Sequence, residues 1–393
     1  MSLTIILFII STLSAFILIL YGFNIAIAIG LAILVYSLPL QGLEIIEIIK
    51  DSFNLTLLNT VLSLILAMFL ADLFRSSGIG NKMVASLESL SPRLAAFSVP
   101  AIIGLLPMPA GAYISATIID PLYTNCKLGS EDKTFLNYWF RHVWVTVWPL
   151  YQVVILASAI LNMSFNDILY YNWPIFVGAL TSGLIKSMPI MLTFSGNCIK
   201  REKHRSHSGL LYLWPFIVIA MLVMVMKMPL PLSLITTIIL FIAIHKPSKY
   251  AIKNGLKYSI DPTITMLIIE SLIFSNVIER SGLSNQLAQH LYRYADIAVF
   301  AIPFLMVIAT GFEFTFATLA FPSILPLLKG YRITLAFLGG FTGAMLSPLH
   351  ACFVLSAKYF KSSLGSVYIK HLIQSIVLTI IITLSITTIL LMI

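Results

Sequence analysis

Two stretches decide the fold: LPMPAGAYISATIIDPL at 106–122 and IATGFEFTFATLAFPSILPL at 308–327. Each is apolar enough for lipid yet interrupted near its centre, by Pro107, Pro109 and Gly111 in the first and by Thr310, Gly311 and Glu313 in the second. A second pair follows, FRHVWVTVWPLYQVVILAS at 140–158 and LGGFTGAMLSPLHACFVLSAKYF at 338–360, with a Pro-Leu in mid-span at Pro149 and at Pro348. Breaking a helix frees backbone N–H and C=O groups and aims half-helix dipoles at one place. Broken apolar segments at corresponding positions in two halves of a chain therefore point to a transporter binding site.

The surrounding chain is of the same character. Of its 393 residues 59% are hydrophobic and 10% charged, against about 25% charged in soluble domains, and the mean hydropathy is +0.99. Apolar stretches run to roughly 20 residues, the length of a membrane-spanning helix, without the short alternation of an outer-membrane barrel. The fold class is an all-α polytopic membrane protein. MSLTIILFIISTLSAFILILYG at the N-terminus has no Lys or Arg before Lys50, so it lacks the basic region of a cleaved signal peptide and reads as the first span. Cys126, Cys198 and Cys352 are widely separated, and their spacing suggests neither a disulfide framework nor a metal knuckle. The net charge of +9 sits in short loops, where membrane orientation accounts for it, and no nucleic-acid partner is expected.

Spans are expected at 3–20, 24–40, 54–74, 134–160, 169–186, 210–226, 229–245, 262–279, 333–359 and 371–392. The interrupted regions 94–122 and 297–328 either cross once or form re-entrant hairpins, which backbone accounting permits only inside protein or along a wet cavity. Charge placement favours hairpins. With the basic loop 187–209 in the cytoplasm, all of the 24 Lys and Arg fall inside except those at 50, 227, 280, 293, 329 and 332; single crossings would even the split to 15 and 9. Five crossings per half would invert the second half relative to the first and leave both termini outside the cell membrane. The organisation is thus a first inverted repeat over 1–188, a basic cytoplasmic linker over 189–209 and a second repeat over 210–393, each repeat with one hairpin and one broken helix (134–160 and 333–360). Identities between the halves are few, Ser77/Ser281, Gly78/Gly282, Asn81/Asn285 and Leu87/Leu291, and the recurring order of segments carries more of the argument. HKPSKYAIKNGLK at 245–257 reads as a second cytoplasmic loop.

At LPMPAGAYISA (106–116), NYWFRHVWVTVWPLY (137–151) and GAMLSPLHACFVLSAKYF (343–360) the chain resembles the DUF401 family of prokaryotic, largely archaeal, integral membrane proteins. That family is grouped with the ion transporter superfamily of anion, citrate and gluconate permeases. The resemblance implies inverted repeats, each with a re-entrant hairpin and a discontinuous helix, converging on a mid-membrane site, usually in a homodimer. Dicarboxylate members of that superfamily place Ser-Asn-Thr at each hairpin tip for sodium and substrate. Here the tips read PMPAGA and TGFEFT, which moves the expectation away from sodium–dicarboxylate symport.

Candidate residues follow from the breaks. Pro107, Pro109, Gly111 and Gly311 would free backbone groups at the hairpin tips; the bland alternative is an ordinary proline kink. Ser115, Thr310 and Thr315 are hydroxyls able to ligate, or to bond back to their own helices. Unwinding at Pro149 and Pro348 would expose Trp148, Tyr151 and Gln152 on one side and Ser347 and His350 on the other. His350 could exchange a proton near neutral pH, or simply be satisfied by a carbonyl. Glu313 and Glu270 are the carboxylates whose depth suggests coupling, with a structural ion pair as the alternative for Glu270. Arg141, beside His142, either clamps an oxyanion or snorkels to the surface. Asp72 and Asp120, near span ends, read as interfacial. No HExxH, GxSxG or paired-aspartate pattern is present, so an enzyme is not expected. The expected function is secondary transport of a small anionic solute, coupled to protons or Na+ and without a metal or other cofactor, with a passive ion channel as the alternative and an intramembrane enzyme after it.

Overall fold

Short polar and glycine signals between long apolar runs set the helix boundaries. The computed structural model describes residues 2–108, 111–194 and 211–392, and every regular element among them is helical. Ser2 accepts from the Ile5 N–H to open α1 (Leu3–Leu20), and Asn24 accepts from the Ala26 N–H to open α2 (Ile25–Gln41). After an amphipathic α3 (Ile45–Ser52), the Asn54 side chain accepts from Thr56 and Leu57 at the start of α4 (Leu55–Ser76). Such caps satisfy N–H groups that a helix start leaves without partners. The first half continues with α5 (Ile79–Leu90), α6 (Pro92–Gly104), α7 (Gly111–Asn125), α8 (Ser130–His142), α9 (Gln152–Leu161) and α10 (Phe165–Leu192).

The second half runs through the same order. It comprises α11 (Leu211–Val225), α12 (Leu230–His245), α13 (Lys249–Ser259), α14 (Pro262–Arg280), α15 (Leu283–Leu291), α16 (Ala295–Thr310), α17 (Phe316–Leu327), α18 (Tyr331–Leu346), α19 (Ala351–Phe360) and α20 (Leu364–Met392). The aligned Ser-Gly pairs occupy equivalent turns: Gly78 has φ 68° and ψ 8° before α5, and Gly282 has φ 69° and ψ 10° before α15. A β-carbon disfavours that left-handed conformation, which accounts for glycine at both positions.

Among the described residues, eight helical runs are long and apolar enough to cross a membrane, and five more are apolar but shorter. Region 94–122 folds as helix, break and helix, with α6 packed on α7, and 297–328 does the same through α16 and α17. The segment around Pro149 separates α8 from α9, and Pro348 lies between α18 and α19. One reading is corrected: the stretch read as a loop at 245–257 is largely helical, since α13 begins at Lys249 and stands where α3 stands in the first half. The KREKHR run and Cys198 lie outside the described residues, as do Pro109 and most of the 189–209 linker.

Contacts divide the chain into two units, each drawing on both halves of the sequence. The first unit falls within Met1–Ile65, Gln152–Tyr171 and Ile260–Ser347. Its core joins Ile29, Ile33, Tyr36 and Ile48 of the first half to Leu267, Phe274, Val277 and Leu283 of the second. Polar contacts fix the register: Tyr36 Oη and Ser281 Oγ are 2.6 Å apart, Asn276 donates to Ser52 Oγ at 2.7 Å, and Arg280 pairs with Asp51. Lipid offers apolar side chains no penalty, so close packing and such bonds specify the arrangement. Gly339 and Gly343, four apart on α18, let that helix approach the α16 backbone; a Cβ at Gly343 would lie 2.6 Å from the Phe304 carbonyl oxygen.

The second unit falls within Leu66–Tyr151, Asn172–Ser259 and Pro348–Ile393. Here the exchange runs the other way. The Phe74 ring of α4 lies tilted, 5.5 Å from that of Phe216 of α11, the Arg75 guanidinium lies 5.4 Å from the Tyr258 ring centre, and Gly255 of α13 fits against Phe69. Thus α14 and α15 pack with α1–α3, and α4 and α5 pack with α11–α13. Both breaks are also places where the chain leaves one unit for the other, after Tyr151 and after Ser347.

Candidate functional site

In the second unit the ends of α6, α7, α8 and α19 come together. Helix α6 stops just before Pro107, and its last carbonyls need donors. Three side chains from α8 and the segment after it supply them. Trp144 Nε1 donates to Ala101 O at 2.9 Å, Arg141 Nη1 to Ile103 O at 3.3 Å, and Trp148 Nε1 to Leu105 O at 3.0 Å. The end of α8 is treated similarly: Tyr151 Oη donates to Arg141 O at 2.9 Å. Trp148 and Tyr151 stand at the break, but unwinding does not expose Trp148, nor Ser347 and His350 at the other break: all three are buried, and the polar atoms of Trp148 and Tyr151 are committed to holding the break.

Arg141 is 5% exposed, so it is buried rather than snorkelling. Its guanidinium lies over Gly111, the first residue of α7, in the place a β-carbon would need. No ion pair to Arg141 occurs among the described residues, and its Nε–H has no hydrogen-bond partner. One turn into α7, the fully buried Ser115 hydroxyl is likewise without a partner among the described residues. Asn137 ties the elements together, its Nδ2 donating to Ala112 O at 3.0 Å and to Ser356 Oγ of α19 at 2.9 Å, while its Oδ1 is left over. Leaving such buried groups unpaired costs about 1–3 kcal/mol each, and guanidinium plus helix N-terminus is an arrangement that favours an anion.

The residue after Arg141 belongs to a second cluster. His142 Nδ1–H donates to Tyr138 O at 2.6 Å, which directs Nε2 toward His350 Nε2, 3.2 Å away. Cys352, two residues beyond His350, completes a set of three atoms of metal-ligand type, all within 4.8 Å of one another. The sequence reading missed His142, Cys352 and Asn137 as site residues. The His-x-Cys spacing at the start of α19 and the Arg-His pair closing α8 were the available signals.

In the first unit, Thr310 ends α16 and Gly311 turns the chain with φ 75°. The two threonine hydroxyls lie 2.9 Å apart and both bond back to their own backbone, Thr310 to Met306 O at 2.8 Å and Thr315 to Phe312 O at 2.7 Å. Ser347 Oγ donates to Ile308 O at 2.9 Å, tying the end of α18 to α16. Glu313 and Gln152 are half-buried, the latter opening α9, which packs against the first turns of α17. Glu270 differs from all of these. It is 7% exposed, its Oε2 has no hydrogen-bond partner among the described residues, and Gly30 of α2 abuts it so closely that a Cβ there would lie 2.7 Å from Oε1. Of the two acids read as interfacial, Asp72 is buried and paired with Arg75, and Asp120 is paired with Lys133 at 2.8 Å.

Long apolar helices, breaks within them and buried charge at the breaks define a polytopic helical membrane protein. Its family is shown by a match over residues 1–392: the chain belongs to the family described as "Protein of unknown function (DUF401)". No curated protein matches the chain.

Proposed function

We propose that the protein is a secondary transporter of a small carboxylate or oxyanion, working by alternating access. The observation that carries the reading is the buried Arg141 guanidinium over the first turn of α7, with its Nε–H and the Ser115 hydroxyl both lacking partners among the described residues. An anion seated there would accept from Arg141 and from Ser115 beside the positive end of α7. In this reading the two halves are inverted repeats with re-entrant hairpins at α6–α7 and α16–α17, in a plasma-membrane homodimer with the linker in the cytoplasm. The recurring element order and the matched glycine turns support it.

Coupling is assigned to protons, with Glu270 as the carrier and Glu313 as the second candidate. A carboxylate buried in apolar surroundings without a counter-ion is costly, and it can gain or lose a proton only as its surroundings change between conformations. The test is a thermal-shift screen of the purified protein against organic and inorganic anions, with and without sodium and at two pH values. A bound anion raises the melting temperature by mass action, and Arg141→Gln removes the rise. Stabilisation of the variant equal to that of the wild type, or no stabilising anion, would sink the assignment.

A further inference from the structure

The geometry points to a transition-metal site: we infer that His142, His350 and Cys352 bind one zinc(II)-like or copper(I) ion, with a fourth coordination position open. Four observations carry this. The two imidazole Nε2 atoms stand 3.2 Å apart, and two nitrogens each about 2.0–2.1 Å from one tetrahedral ion are separated by roughly 3.3 Å. The Nδ1–H of His142 is anchored on the Tyr138 carbonyl at 2.6 Å, the second contact that fixes the tautomer and orientation of a metal-ligating histidine. The Cys352 sulfur hydrogen-bonds the same His142 ring, so thiol and second imidazole both converge on it. Finally, the two histidines are 2% and 4% exposed while Cys352 is half-buried beside the exposed Pro348 and Leu349, which leaves a route in.

The donor set limits the ion. Two imidazoles and a thiolate suit zinc or copper, and they exclude the hard cations magnesium and calcium, which take oxygen ligands. Binding releases the thiol proton, because the thiolate is the ligand. Neither the Arg141 pocket nor Glu270 contributes an atom, so this inference is independent of the anion reading.

Cobalt(II) titration of chelator-stripped, full-length protein in detergent tests it. The expected result is a near-ultraviolet thiolate-to-cobalt charge-transfer band with the strong visible bands of four-coordinate cobalt, saturating at one equivalent and displaced by zinc(II) or copper(I). Cys352→Ser abolishes the charge-transfer band and Cys126→Ser leaves it. His350→Gln weakens binding by roughly tenfold or more, at least the loss seen for supporting contacts. Absence of the band in the wild type, or its survival in Cys352→Ser, overturns the inference. A second readout needs no variant: alkylation of Cys352 in the wild type, followed by mass spectrometry, is slowed by zinc(II) or copper(I). Equal rates with and without either metal also overturn it.

Discussion

The guanidinium of Arg141 occupies the space that a β-carbon at Gly111 would need. A helix start and a buried cation are thereby held in contact, and the absence of one side chain makes the contact possible. Gly111→Ala should force the guanidinium or α7 to move. Overpacking of this kind costs about 1–3 kcal/mol, read as a lowered melting temperature in detergent. Combining it with Arg141→Gln should recover much of the loss; additive losses in the double variant would refute the contact.

Glu270 and Gly30 form a second tight pair. Glu270→Gln keeps the shape and removes the titrating proton, so the variant should fold as well as the wild type yet lose transport driven by a pH gradient in proteoliposomes. Exchange of labelled for unlabelled anion, which needs no net proton movement, should persist. Retention of pH-driven uptake in Glu270→Gln would transfer the coupling role elsewhere.

The acid side of the stability profile should report on Asp132, in the first turn of α8. Burial opposes its charge, but hydrogen bonds from His371 and Lys370, together with their charges, outweigh it and hold the carboxyl below its ordinary range. A depressed folded-state value means that stabilisation is present above the ordinary carboxylate value and is lost as pH falls through the depressed one. Asp132→Asn should therefore flatten the acid limb of melting temperature against pH. An unchanged limb would show that the contact contributes nothing.

Trp148→Phe tests the break itself. The ring largely persists, but the donor to Leu105 O disappears and leaves a buried carbonyl unsatisfied, a loss of about 1–3 kcal/mol. Trp144→Phe should act likewise through Ala101 O. Melting temperatures unchanged in both would mean that these carbonyls find other donors.

What the sequence alone determined was whatever depends on neighbours along the chain. Hydropathy set the membrane class, Pro149 and Pro348 marked the two broken spans, and the paired Ser-Gly turns with the recurring segment order made the doubled element order legible. Helix α13 escaped because a short amphipathic helix rich in lysine has the composition of a loop. The site was legible only in part. Arg141, Gly111 and Ser115 were read as candidates, but whether Arg141 is buried or snorkels depends on what packs above it. His142 and His350 are 208 residues apart, and nothing in the local sequence sets Cys352 beside His142. Only tertiary packing decided these, by interleaving the halves so that α19 meets α7 and α8, and α14 meets α2 and α3. Local periodicity can encode which face of a helix is apolar, but in lipid nearly every face is. The choice of neighbour then rests on side-chain fit and a few polar bonds, and neither has a signature short enough to read along the chain.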